Sequence, residues 1–169
     1  GSDPTEALET VIETGGFSRP QEDGYWPTPE PLARRLVALA EIRPGMRLIE
    51  PSAGTGVLAL LAREAGALVS CYELDGARCN ELRRLDFATF CVDFLLTTPP
   101  PLLVDDRVLM NPPFAPRQAD IDHVLHAWRF VRRGGRLVTV MAAGITFRQN
   151  RKTVEMRETI ERYGHLEQN

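Results

Sequence analysis

Cysteine, lysine and long apolar runs are scarce in this chain. Its 169 residues hold three cysteines, Cys71, Cys79 and Cys91, in or beside predicted strands and helices and without the spacing of a metal site. Buried, reduced thiols are therefore expected, and neither a disulfide nor a metal centre is. No apolar run approaches the length of a membrane-spanning helix, and no signal-peptide pattern opens the chain, so a cytoplasmic protein without membrane contact is expected. Internal repeats and low-complexity tracts are absent. Positive charge is not in surplus either: 20 basic residues face 23 acidic ones, for a formal net charge of −3, which argues against a surface built mainly for nucleic acid. Lys152 is the single lysine, a compositional habit with no bearing on chemistry. What remains, 43% hydrophobic and 25% charged residues, suits one soluble domain with a sizeable core.

The order of patterns is an α/β alternation. Residues 1–24 are polar, broken by Gly15-Gly16, and read as a short helix in a loose N-terminal lead-in. Residues 25–169 read as one further domain. Thr28 is placed to cap a helix that begins at Pro29 and carries Leu32, Leu36 and Leu39 on one face. Strands are predicted over Met46–Glu50, Leu68–Glu73, a short run to Val92, Val108–Met110 and from Gly134-Gly135 to Met141. Helices follow Gly56 and Asp75, another runs from Gln118 to Val131, and a last one spans about Arg151 to Tyr163. Short connections and strict alternation predict a doubly wound, mostly parallel sheet with helices on both faces.

Two turns carry the chemistry. Asn111-Pro112-Pro113-Phe114 leaves the apolar run Val108–Met110, and each proline pushes the residue before it toward extended geometry. The carbonyls of this turn are aimed rigidly, Asn111 adds a side-chain acceptor, and Phe114 offers a flat ring. Such a turn suits a planar molecule with an exocyclic amino group. Upstream, the strand ending at Glu50 runs into Pro51-Ser52-Ala53-Gly54-Thr55-Gly56 and then a helix, the corner where doubly wound sheets bind nucleotides. The next strand ends in Glu73, where a carboxylate can accept from a ribose diol. Gly54 to Ala59 also fits the dinucleotide fingerprint. Glu50, however, would repel a pyrophosphate and welcome a ligand bearing an amino group and a sulfonium. The combination favours S-adenosylmethionine over NAD.

These segments resemble the class I S-adenosylmethionine-dependent methyltransferases, and are most similar to the DNA adenine-N6 methyltransferases. Glu50-Pro51-Ser52-Ala53-Gly54-Thr55-Gly56 resembles that family's cofactor loop. Tyr25-Trp26-Pro27-Thr28-Pro29 resembles its upstream Tyr-x-Thr-Pro element, beside the methionine end of the cofactor. Glu73 matches the ribose-binding acid, followed by Leu74, and Asp93-Phe94 matches the element that contacts the cofactor's adenine. Asn111-Pro112-Pro113-Phe114 matches the catalytic motif. The resemblance implies a Rossmann-like methyltransferase fold and methyl transfer from S-adenosylmethionine to adenine N6 in DNA. It also implies a terminal antiparallel hairpin, before which this chain ends, so target recognition is expected to need a partner or a further segment.

The same turn also serves methyltransferases of RNA guanine amines and of protein glutamines, and a cofactor-binding but inactive subunit is a further alternative. Arg148, Arg151 and Lys152 are candidate phosphate contacts. Asp120 with His123, and Asp122 with His126, share helical faces after the catalytic turn and are expected to order the loop or cap the helix rather than to catalyse. Trp26 and Trp128 are read as core or rim aromatics.

Overall fold

The computed structural model describes residues 7–13, 25–101 and 105–168. In chain order the elements are β1 (Ala7–Glu13), α1 (Glu30–Ala40), β2 (Arg47–Glu50), α2 (Val57–Glu64), β3 (Leu68–Glu73), α3 (Gly76–Arg84), β4 (Ala88–Cys91), β5 (Asp105–Met110), α4 (Ala119–Trp128), β6 (Val131–Ala142), α5 (Arg151–Tyr163) and β7 (Gly164–Gln168). They build one seven-stranded sheet in the order β4-β3-β2-β5-β6-β1-β7. Every described strand pair is parallel. The chain winds outward from β2 through β3 to β4, then returns to start again at β5. The reversal leaves a crevice beyond the carboxyl ends of β2 and β5, where open α/β sheets bind ligands.

Alternation along the central strands fills both faces. Leu48, Leu109, Val138 and Val140 point to one side and pack with Leu32, Ala33 and Leu36 of α1 and Leu58 and Ala62 of α2. Their neighbours Ile49, Val108, Met110, Leu137 and Met141 point to the other side and meet Ile121 and Val124 of α4 and Met156 and Ile160 of α5. This period of two, with both faces apolar, is what a parallel sheet covered by helices requires.

Four expectations are corrected. Residues 7–13, read within a short helix, form β1, paired with β6 on one side and β7 on the other. Thr10, Val11 and Ile12 are β-branched and stiff at χ1, which suits a strand flanked by partners; the rest of the 1–24 lead-in lies outside the described residues. Thr28 does not cap α1: Pro29 occupies the N-cap position without a side-chain hydrogen bond. β6 starts before Gly134-Gly135, because Val131 pairs with Asp105 across a register shift in β5. Cys79 and Cys91 are joined in a disulfide with their Cα atoms 5.9 Å apart, as α3 packs back along β4, and Cys91 is exposed. Cys71 stays free and buried, as expected, and burial pushes its thiol up. No described helix is long and apolar enough to cross a membrane.

At the opposite, amino-terminal end of the strands, Asp105 is buried, with Arg47 Nη2 3.8 Å from its Oδ1. Burial pushes its carboxyl up from 3.8 to about 6, against the pull of Arg47 and with a further push from Asp106. A raised carboxyl favours the folded state at low pH, and that contribution is lost as pH climbs through the folded value. Asp105→Asn should therefore raise the melting temperature at about pH 8, and that gain should shrink steadily below about pH 6 to roughly half at about pH 5, measured by thermal melts across that range.

Candidate active site at the carboxyl ends of the strands

A cavity of about 470 Å³ opens at the crevice, and its walls come from five separate stretches of chain. Tyr25 to Thr28 supplies one, the turn from Glu50 to Ala53 the second, Glu73, Leu74 and Arg78 the third, Val92 to Leu95 the fourth, and Asn111 to Arg117 with the start of α4 the fifth. Most of the predicted site residues thus meet in one place. Pro29, Gly54, Gly56, Arg148, Arg151 and Lys152 lie outside its lining.

The turn after β2 is held open by its glycines. Gly54 and Gly56 have φ of +56° and +92°, which other residues adopt only with strain. A Cβ on Gly54 would sit 2.7 Å from Tyr25 Oη, so the close approach that requires glycine there is made by a protein ring. Tyr25 Oη accepts from Thr55 N at 3.1 Å and lies 3.0 Å from Thr55 Oγ1. Gly54→Ala should strip this strap from the turn and cost about 1–3 kcal/mol, read as a lower denaturation midpoint.

The two carboxylates of the site stand in opposite conditions. Glu73 is buried but satisfied: Oε2 accepts from Gly54 N at 2.7 Å, and Oε1 accepts from Asp75 N and Arg78 Nε, each at 3.1 Å. Three of its roughly four acceptor positions are filled by the protein itself. Glu50 is 1% exposed, and neither of its oxygens has a hydrogen-bond partner. Burial pushes its carboxyl well above the ordinary range and the Glu73 carboxylate adds to that; the Ser52 amide, short of a full hydrogen bond, offsets it only in part. An unpaired carboxylate walling a cavity is a costly arrangement that a bound cation relieves.

The turn after β5 shows the same incompleteness. Asn111 Nδ2 donates to Thr28 Oγ1 at 3.0 Å, while Asn111 Oδ1 is buried without a partner. Pro112 is buried, and Phe114 is half-buried against the α1 face of the core. Arg117 and Gln118 both adopt left-handed backbone, with φ of 52° and 59°. They are held there by Lys152 Nζ donating to Arg117 O at 2.9 Å and by Gln118 Nε2 donating to Thr153 Oγ1 at 2.6 Å. Lys152 also pairs with Asp122 at 2.7 Å, so it braces this loop. Arg151 pairs with Glu155 one turn along α5 and stays in solvent, whereas Arg148 packs against Gly144.

Asp93 accepts from Leu95 N at 3.0 Å, and Phe94 is a core ring against Tyr72, His126 and Phe130. Asp120 orders the loop as expected, its Oδ2 accepting from Ala142 N at 3.0 Å. Sequence reading missed Arg78 and the cavity role of His123. Arg78 stacks over the Tyr25 ring at 4.3 Å and pairs with Glu73. Its place one turn into a helix capped by Asp75, after Glu73, was the available signal. His123 lines the cavity with its Nδ1 unpartnered, and burial lowers its imidazole value despite the Asp93 and Asp122 carboxylates. Among the described residues no cluster of side chains could hold a metal ion.

No protein-family profile and no curated protein matches the chain. Solved structures do. TrmN from Thermus thermophilus is 26% identical, with a TM-score of 0.54, over 68% of this chain and 38% of its own. PH1948 from Pyrococcus horikoshii, a proposed RNA methyltransferase, is 26% identical with a TM-score of 0.59, over 88% of this chain and 74% of its own. A modification subunit of a proposed type I restriction enzyme from Vibrio vulnificus YJ016 reaches a TM-score of 0.63 at 16% identity, over 82% of this chain and 38% of its own. The chain thus spans well under half the length of the first and third of these, and its α/β architecture is the Rossmann-like methyltransferase fold.

Proposed function

We propose that this chain transfers a methyl group from S-adenosylmethionine to an exocyclic amino group, with adenine N6 in DNA as the first candidate. The observation that carries the reading is the pair of unpartnered buried acceptors in one cavity, the Glu50 carboxylate and Asn111 Oδ1. The residues fit the cofactor. Glu50 would face its ammonium and sulfonium charge, Glu73 retains an acceptor position for a ribose hydroxyl, and Asp93 flanks the base.

 Leu74, 72% exposed at the cavity mouth, offers that base an apolar edge. The unpaired Glu50 speaks against a pyrophosphate in the same place.

Bound there, S-adenosylmethionine supplies an electrophilic methyl group. The chain's residues do the rest. An aromatic amine is a poor nucleophile because its lone pair is delocalised into the ring. Asn111 Oδ1 and the Pro112 carbonyl accept from its two N–H groups, favour a more tetrahedral nitrogen and stabilise the positive charge that develops there. The two prolines keep these acceptors preorganised, and Phe114 stacks on the base, which must leave a duplex to reach the cavity. The RNA alternative draws support from PH1948, a 26% identical neighbour named as a proposed RNA methyltransferase, and the protein-glutamine alternative from the net charge of −3. Incubation with methyl-labelled S-adenosylmethionine and DNA, RNA or protein, followed by digestion, separates the readings. Label in N6-methyladenine from DNA is the expected product. Label in RNA or in a glutamine keeps the chemistry and moves the substrate, and no label in any of them contradicts the proposal.

A further inference from the structure

We propose that Thr28 is a positioning residue for Asn111: its hydroxyl holds Nδ2 and so decides which end of the amide meets the substrate. The inference rests on reading the cavity as a methyl-transfer site, and it assigns Thr28 a role apart from cofactor contact. An asparagine amide has an accepting and a donating end, exchanged by a half-turn of its terminal torsion, for which both orientations are sterically similar. Only the accepting end can serve an amine that presents N–H groups; the donating end would set donor against donor. In the structure the donating end is engaged, at 3.0 Å from Thr28 Oγ1, and the accepting end is buried and unpartnered.

Thr28 is well built for this task. Its hydroxyl is not spent on capping α1, because Pro29 holds that position. Pro27 and Pro29 restrict the backbone on both sides of it. Three residues upstream, Tyr25 fastens the same segment to Thr55. One strap therefore touches the cofactor turn at one end and the catalytic amide at the other, across 83 residues of sequence.

Thr28→Val keeps the shape and removes the hydroxyl, and Thr28→Ser keeps the hydroxyl. Thr28→Val is expected to lower kcat about tenfold, Thr28→Ser to restore it, and both to leave the Kd for S-adenosylmethionine unchanged. Asn111→Asp supplies the decisive background, since a carboxylate accepts through either oxygen and needs no orientation. There, Thr28→Val should cost nothing further. An equal loss in both backgrounds, or a weaker cofactor Kd with kcat unchanged, overturns the proposal. The Asn111 side-chain amide signal in NMR reads the contact without turnover. Its exchange should be slow in the parent and in Thr28→Ser and fast in Thr28→Val; equal exchange in all three also overturns the proposal. Slow exchange in a parent that transfers no methyl group would refute the functional reading while leaving the contact intact.

Discussion

Asn111→Ala is expected to lower methyl transfer by about 10²–10³-fold, the usual effect of deleting one preorganised group that stabilises charge in a transition state. The affinity for S-adenosylmethionine should stay close to that of the parent, because Asn111 Oδ1 is assigned to the substrate amine. The signature is thus a fall in kcat with little change in cofactor Kd, which marks an interaction made chiefly in the transition state. A loss of cofactor binding of similar size would instead place Asn111 in the cofactor site. Undiminished transfer would remove the turn from the mechanism. The fold should survive, since Asn111 sits on an exit turn and its one described side-chain contact is the bond to Thr28.

Glu50→Gln is expected to move stability and cofactor affinity in opposite directions. The parent carboxyl is buried without partners, and burial together with Glu73 holds its value well above the ordinary one. Such a group favours folding at low pH and opposes it progressively as pH rises toward the folded value. The cofactor-free variant should therefore melt higher than the parent, by a margin that widens with pH. Binding of a cationic ligand draws on the ionised form, so parent affinity should improve as pH rises, while the variant's affinity responds far less. Removing one member of a buried charge pair costs about 2 kcal/mol or more, roughly a thirtyfold weaker Kd. A variant that is less stable at every pH, or that binds S-adenosylmethionine as well as the parent, would show that Glu50 serves the core and not the ligand.

Much of this site was legible because its chemistry is local. Turn residues such as Pro112, Pro113, Gly54 and Gly56 declare their backbone geometry in the sequence, and strands before them declare where the turns begin. The order of strand and helix patterns declared a sheet covered on both faces, and in the structure Leu48 and Leu109 face one helical layer while Ile49, Val108 and Met110 face the other. What escaped depends on contacts distant in sequence. β1 becomes a strand by fitting between β6 and β7, a pairing that seven residues cannot announce. The Cys79–Cys91 bond follows from the return of α3 along β4. Thr28 had the credentials of a helix cap and lost that role because Pro29 took the position while Asn111 took the hydroxyl. Arg78 and His123 reach the cavity only because α3 and α4 are set against its walls.

A calorimetric titration tests, without any knowledge of the substrate, whether the cavity between β2 and β5 is a cation-accepting S-adenosylmethionine site. One S-adenosylmethionine should bind per chain, with competition by S-adenosylhomocysteine, no binding of NADH, and a much weaker isotherm for Glu50→Gln. Binding of NADH in place of S-adenosylmethionine, or an isotherm indifferent to Glu50, would contradict it.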